Sequence, residues 1–459
     1  MPIKKSFPSD VELKRIQTLR KYEKLHDNEQ ESVLLLHEII KRQFSKATDI
    51  PYLSHAIPSR VSEFYGDFVQ GEADQLAISV VNGTDTEQEF IKTTIDENDL
   101  NESFGDYAYN QSEYGFEVLL GYVKDNKFKI QIVPKDQYFP QSDGSIIFAT
   151  YLFDPSDVRS NLKDRKKLLY TQQYRLEGAD VIIERKLWTI DSYGRAEDEV
   201  SLIAGNITAD PEEKIENLGY LPVVQIDNGR KTSWGFGKSD YADILPQLAE
   251  VNERRTHVST QLLKNLDAKL QLPNIEALKD EKGNLKPFDY IMPEKDSAEA
   301  KYITNENPLL DPTERHIESQ LKMISWTTCV PMFELLKSAM PERVESLRIQ
   351  LFGAVRKTDK KRAQITKGIR NILYIGYKMI NNEEMTGRVQ IKYSDVLPTD
   401  PAQDTSMEAE QITAGLTSKK SAIMRLHNLS EAEAEAELEQ IRNEEIASGA
   451  LNPNNAPTV

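Results

Sequence analysis

Cysteine is almost absent from this chain. Cys329 is the only one among 459 residues, so no intrachain disulfide can form and a reducing compartment is expected. Long apolar runs are missing as well. Mean hydropathy is −0.55, and no stretch approaches the roughly 18 consecutive apolar residues that a membrane-spanning helix needs. The first residues, Met1-Pro2-Ile3-Lys4-Lys5-Ser6-Phe7, carry two lysines with no apolar segment behind them, which argues against a secretory signal. Sequons such as Asn110-Gln111-Ser112 then carry no glycosylation message. Histidine is scarce and scattered: His26, His37, His55, His257, His316 and His427 lack the spacing of a zinc site. Cys329 has no partner motif around it. These absences leave a soluble protein of roughly two to four domains, with no metal or cofactor expected.

Positive charge is also in deficit. Asp and Glu number 74 against 57 Lys and Arg, a net charge of −17. A protein that grips duplex DNA over most of its surface needs clustered cations, because affinity grows with the number of phosphates neutralised. The acidity therefore argues against that mode, and in its plainest reading keeps the protein soluble. The exception is local. Residues 356–370 hold Arg356, Lys357, Lys360, Lys361, Arg362, Lys367 and Arg370 against the single acid Asp359. Such a helix either faces nucleic acid or pairs with the acidic remainder of the protein, and the sequence leaves both open.

The pattern of the chain predicts an α+β fold with a mainly helical C-terminal half. Ser9-Asp10-Val11-Glu12 is a capping box opening a helix to about residue 25, and Leu34 to Ile40 suggests a second. Strand signals then dominate residues 60–230. Ala77 to Val81 ends in the turn dipeptide Asn82-Gly83, and Phe116 to Val123 and Lys127 to Val133 flank Asp125-Asn126 as a hairpin. Ser145 to Phe153, Leu168 to Tyr174, Val181 to Ile190 and Leu221 to Ile226 continue a largely antiparallel sheet.

Beyond residue 238 the period changes to that of a helix. Ser239 is the expected N-cap of a run carrying Ile244, Leu245, Leu248, Val251, Val258, Leu262, Leu266 and Leu270, which would span about 50 Å before Pro273 closes it. A turn-rich insert through Asn307 has strand candidates at Lys286 to Met292 and Ala300 to Thr304. Asp311-Pro312-Thr313-Glu314 then opens a return helix to about Cys329. A short apolar loop, Val330 to Met340, leads to a long basic helix from Glu342 to about Asn382, whose apolar stripe breaks near Thr358. Arg388 to Tyr393 is a strand candidate. Short helices follow over Asp404 to Ala414 and Ser418 to His427, and the capping box Ser430-Glu431-Ala432-Glu433 opens an acidic helix to about Ala447. Leu451 to Val459 reads as a disordered tail.

One segment imitates a catalytic motif. Gly235-Phe236-Gly237-Lys238-Ser239 follows a strand and precedes a helix, as a phosphate-binding loop does. That loop requires a glycine five residues before Gly237, where this chain has Thr232. No strand–helix alternation follows to build a parallel sheet. The sequence supports no catalytic assignment, and a P-loop ATPase is a remote alternative.

Several stretches, taken in order, resemble the portal proteins of tailed bacteriophages. They are Gly219-Tyr220-Leu221-Pro222-Val223-Val224, Gly237-Lys238-Ser239-Asp240, Val330-Pro331-Met332-Phe333, Glu342-Arg343-Val344-Glu345-Ser346-Leu347, Asp395-Val396-Leu397-Pro398-Thr399-Asp400 and Gly415-Leu416-Thr417-Ser418-Lys419-Lys420. The resemblance implies a non-enzymatic ring at one capsid vertex, a dodecamer in the family's usual assembly, serving as the channel for DNA packaging and ejection. Residues 1–235 would be the wing, 236–272 a stem helix, 273–307 the clip and 308–329 the return stem helix. Residues 330–341 would be the tunnel loop, 342–400 the long basic helix and its return to the wing, 401–450 the crown and 451–459 the tail. By position it implies DNA-channel candidates Met332, Phe333, Lys337, Ser338, Arg343 and Arg348. Clip candidates for partner binding are Lys282, Asn284, Lys286, Phe288 and Tyr290. Met332, Phe333, Leu335 and Leu336 have a plainer reading as core of a helix–helix connection. Implied partners are other copies of the chain, double-stranded DNA without sequence readout, terminase, the head-to-tail adaptor, and major capsid and scaffolding proteins. The location is the virion, with assembly in the host cytoplasm. In a ring, acidic walls would let a polyanion slide without being held. A non-portal oligomeric adaptor built on the same helices is the competing class.

Overall fold

The computed structural model describes residues 7–30, 33, 52–71, 76–155, 157, 166–265, 269–271, 290–291, 301–303, 310–336, 344–394, 401–427 and 431–447. The chain divides into two compact units, Met1–Ala339 with Leu351–Val396, and Met340–Gln350 with Leu397–Val459.

In the first unit, α1 (Asp10–His26) starts at the expected capping box, with the Glu12 amide on Ser9 Oγ and the Ser9 amide on Glu12 Oε2. Next come α2 (Ile57–Gln70) and β1 (Ala77–Val81). Asn82, at φ 57°, turns the chain not into a second strand but into α3 (Asp85–Asn98), capped by Thr84 and Glu87. α4 (Leu100–Tyr114) ends at Gly115, whose φ of 89° favours glycine. These three helices lie in the stretch where the sequence predicts mainly strands. Their sequences are rich in Thr, Asn, Tyr and Gly, which are poor helix formers, so packing rather than propensity holds them.

The hairpin of β2 (Phe116–Lys124) and β3 (Lys127–Ile132) forms as expected, because Asp125 (φ 52°) and Asn126 (φ 59°) both accept the left-handed conformation its tight turn requires. The chain continues through β4 (Tyr138–Pro140), β5 (Ile146–Phe153), β6 (Lys167–Glu177), β7 (Asp180–Ile190), β8 (Ala196–Val200), β9 (Glu212–Ile215) and β10 (Val223–Asp227). Strands β4-β5-β6-β7-β8 pair in that order, with β9 also on β7, and a second sheet has the order β10-β2-β3. Both are antiparallel.

α5 (Leu245–Asn265) is shorter than the sequence suggests at both ends. Ser239 does not cap the helix, which begins six residues later: its hydroxyl donates to the carbonyls of Ser112 (3.1 Å) and Glu113 (2.6 Å) and accepts the Tyr241 amide (3.1 Å), and residues 240–244 form turns. Pro246 fits the first helical turn and sets the start. At the far end, residues expected to be helical form β11 (Lys269–Gln271), which pairs parallel with β12 (Tyr290–Ile291) and antiparallel with β13 (Lys301–Ile303). α6 (Leu310–Thr328) is the return helix, and α7 (Met332–Leu336) follows. The long helix is α8 (Val344–Asn381), and β14 (Arg388–Lys392) pairs antiparallel with β1 as a separate two-stranded sheet. The second unit holds α9 (Pro401–Thr413), α10 (Lys419–His427) and α11 (Glu431–Ala447), near the expected bounds. The helix expected over Leu34 to Ile40, the cap at Ser430 and the tail lie outside the described residues.

The main core joins α8 to the β10-β2-β3 sheet through Ile365, Ile369, Ile372 and Leu373 against Val118, Phe128 and Ile226. The helix comes close enough only because it carries glycine at two facing positions. A Cβ on Gly368 would stand 2.4 Å from Ile226 Cγ1, and one on Gly376 2.5 Å from the Phe128 ring. Phe128 is only 3% exposed and has no room to retreat. Gly376→Ala is therefore expected to destabilise the protein by about 1–3 kcal/mol through overpacking, despite alanine's better helix propensity. Denaturant unfolding of the two proteins measures this directly, and an unchanged or raised midpoint would contradict the close packing.

Candidate functional site

The Gly237-Lys238-Ser239-Asp240 segment builds a joint rather than a phosphate loop. Gly237 packs so tightly that a Cβ would fall 2.1 Å from the Gly115 carbonyl, and its amide donates to Asp227 Oδ1 at 2.9 Å. Lys238 points outward and pairs with Asp243. Asp240 is turned inward: its amide donates to the Ser112 carbonyl, and its carboxylate accepts from Ser112 Oγ (2.7 Å) and Asn228 Nδ2 (3.0 Å). Two lysines of α8 complete the shell, Lys357 at 2.9 Å and Lys361 at 3.2 Å. Lys357 also donates to the Thr328 carbonyl (3.0 Å) at the end of α6, which accepts from the Tyr65 hydroxyl at 2.6 Å. Both ammonium groups stand over the Tyr65 ring, at 4.7 and 5.1 Å.

Burial pushes the Asp240 carboxyl up, but Lys357 and Lys361 outweigh it and hold the group well below the usual carboxylate range. Desolvation lowers the Lys361 ammonium to about 8, opposed by Asp240. The basic stretch of α8 is thus largely ion-paired or hydrogen-bonded inward. Arg362 donates to the carbonyls of Phe68, Val69 and Ser394, and Arg370 to that of Val389. Arg356, Lys360 and Lys367 remain exposed, with Arg356 over the Phe352 ring at 5.7 Å.

The channel candidates are only partly brought together. Cys329, at φ 60°, ends α6, and Val330 is buried. In α7, Phe333 and Leu335 are each 6% exposed and belong to the core of the subunit, while Met332 is half-buried. Arg348, in the second unit, is half-buried and has an interaction partner. Lys337, Ser338 and Arg343 lie outside the described residues, as do Lys282, Asn284, Lys286 and Phe288. Tyr290 is in β12.

A different surface emerges on the helices. α5 and α6 run antiparallel, tied by Arg255 to Glu314 and His316 to Glu250, each at 3.2 Å. The inner stripe of α6 is Ile317, Leu321 and Ile324, all buried. On its outer face Met323 is 52% and Trp326 86% exposed, and on α8 Phe352 is 62% exposed. The sequence signal for this face was available as large apolar residues lying off the core stripe.

Asp240→Asn leaves two lysines beside a neutral amide, the usual consequence of breaking a buried pair, and is expected to cost about 3–5 kcal/mol at pH 7. Because the folded carboxyl titrates below its unfolded value, its contribution is complete above pH ~4 and lost as pH falls further. The stability gap between wild type and variant should therefore narrow below pH ~4 in urea titrations, and a gap constant with pH would contradict the pairing.

A family model described as phage portal protein, SPP1 Gp6-like, matches residues 9–449. Among solved structures, the neck of the empty GTA particle computed with C6 symmetry is similar at 10% identity and a TM-score of 0.45, over 83% of this chain and 93% of that one. The virion of the native gene transfer agent (GTA) particle gives 10% identity and a TM-score of 0.40, over 84% and 98%. The neck of the native GTA particle computed with C12 symmetry gives 10% identity and a TM-score of 0.43, over 81% and 89%. Comparison with curated proteins gives no match. The family match runs through both units, and by it the chain belongs to the phage portal proteins of the SPP1 Gp6-like family.

Proposed function

We propose that copies of this chain close into a ring of about twelve at one capsid vertex, forming the channel for DNA packaging and ejection. On the same reading the ring is the docking platform for terminase and the head-to-tail adaptor, and the chain is structural, without catalysis of its own. The observation that carries the ring is the exposure of Trp326 and Met323 on one face of α6 and of Phe352 on α8. Large apolar side chains left this exposed among the described residues, on firmly packed helices, call for a cover from outside. In a ring closed by rotation every copy offers this face to the next, so all of them are covered without a free end.

On this reading α5 and α6 are the stem and residues 273–307, with β12 and β13, the clip. Residues 330–341 are the tunnel loop, α9 to α11 the crown, and residues 1–235 with β14 the wing. On the same reading DNA passes Lys337, Ser338, Arg343 and Arg348, with Met332. Phe333 contributes there by fixing the loop's base in the core. A net charge of −17 suits a passage that must not hold its polyanion.

Native mass spectrometry with end-on electron microscopy tests the ring: about a dozen 52.4 kDa subunits around a hole are expected. Trp326→Glu should shift the protein toward monomer while the subunit keeps its native far-UV circular dichroism, because the side chain is exposed within the subunit. A Trp326→Glu ring as stable as wild type would remove this face from the interface. Deleting residues 280–300 should leave the ring intact and abolish DNA packaging, whereas loss of the ring would refute the clip reading.

A further inference from the structure

β10 is an edge strand, and its register shows which backbone groups it leaves free. Gly121 donates to the Pro222 carbonyl and Asn228 to the Gly115 carbonyl, both at 2.8 Å. Val224 lies opposite Leu119 and Ile226 opposite Glu117. The even-numbered residues therefore exchange the ladder bonds, and the N–H and C=O groups of Val223 and Gln225 turn away from β2. Among the described residues these four groups have no hydrogen-bond partner.

Beside this edge is a cleft of about 590 Å³ whose opposite wall is α8, at Gln364, Lys367, Asn371 and Tyr374. That is ample for a ligand. Its charges do not cancel. Lys231 pairs with Asp227 at 3.4 Å and Lys378 with Glu384 at 3.1 Å, while Lys367 is exposed and has no acid partner among the described residues. A donor–acceptor pair repeated two residues along an extended strand, about 7 Å apart, fits another extended polypeptide better than any small molecule. The surplus lysine, on a chain that is otherwise acidic, selects carboxylates.

We propose that this cleft captures an extended acidic segment of a partner protein, which adds to β10 as a further strand on the free groups of Val223 and Gln225 and sets a carboxylate against Lys367. This gives a task to the Gly219–Val224 motif, which the channel reading does not use, and it holds whether or not the chain forms a ring.

The test is fluorescence polarisation of a labelled heptapeptide of alternating Glu and Val against the full-length protein. Saturable binding is expected. It should weaken at least tenfold when alternate peptide amides are N-methylated, when Lys replaces Glu in the peptide, and on Lys367→Glu protein with unchanged melting temperature and native mass. No binding to wild type overturns the proposal, as does binding that ignores N-methylation or Lys367→Glu. If dissociated subunits bind and the assembled species does not, a neighbouring copy occupies the edge and the partner-protein proposal falls. Native mass, read separately, decides the ring.

Discussion

One buried carboxylate holds together segments that lie far apart in sequence. Asp240 draws Lys357 and Lys361 of α8 to the turn before α5, and through Ser112 and Asn228 it fixes the end of α4 and the loop after β10. Lys357 passes the restraint to the end of α6. Charges taken out of water must be matched closely or the fold loses several kcal/mol, so the arrangement tolerates little displacement of any of these elements. The close glycine packing of α8 on the β10-β2-β3 sheet has the same character, since it works only if the helix stays in its groove. The helical hairpin and the sheet domain are thus one mechanical body in the first unit.

Much of this was legible in the sequence, and what failed did so for identifiable reasons. Local chemistry is legible: the Ser9 capping box and the Asp125-Asn126 turn depend on neighbouring residues only, whereas Asp311, expected to cap α6, lies inside its first turn because the helix already begins at Leu310. The family was legible because several short motifs kept their order, although each was weak alone. Helices α3 and α4 escaped notice since their apolar residues are few and their core, including Phe104 and Ile91, is completed by distant strands. The stem helix was overextended because Leu266 and Leu270 continue a helical spacing, whereas the chain at Lys269–Gln271 is claimed by pairing with β13. Ser239 looked like a cap because its real partners, the carbonyls of Ser112 and Glu113, lie more than a hundred residues away.

The basic helix shows how composition can mislead about partners. Seven cations in fifteen residues suggest a nucleic-acid face, yet Lys357, Lys361, Arg362 and Arg370 serve internal carbonyls and one carboxylate. The candidate site was less legible than the fold for the same reason. Sequence assigns charge to a helix but not direction, and direction decides whether a lysine meets solvent, a ligand or Asp240. The signal for Trp326, a large aromatic off the core stripe of α6, is present in the sequence but gains meaning only once Ile317, Leu321 and Ile324 are seen to fill that stripe.

The depth of the Asp240 joint also decides how the protein responds to ionic strength. Exposed pairs such as Lys214 with Asp180 fade as salt shortens the range of charge–charge attraction to a few ångströms. The Asp240 carboxylate and Lys361 are out of reach of mobile ions, at 7% and 2% side-chain exposure. Concentrated counterions would therefore loosen contacts on the outside of the subunit while leaving the Asp240 joint intact.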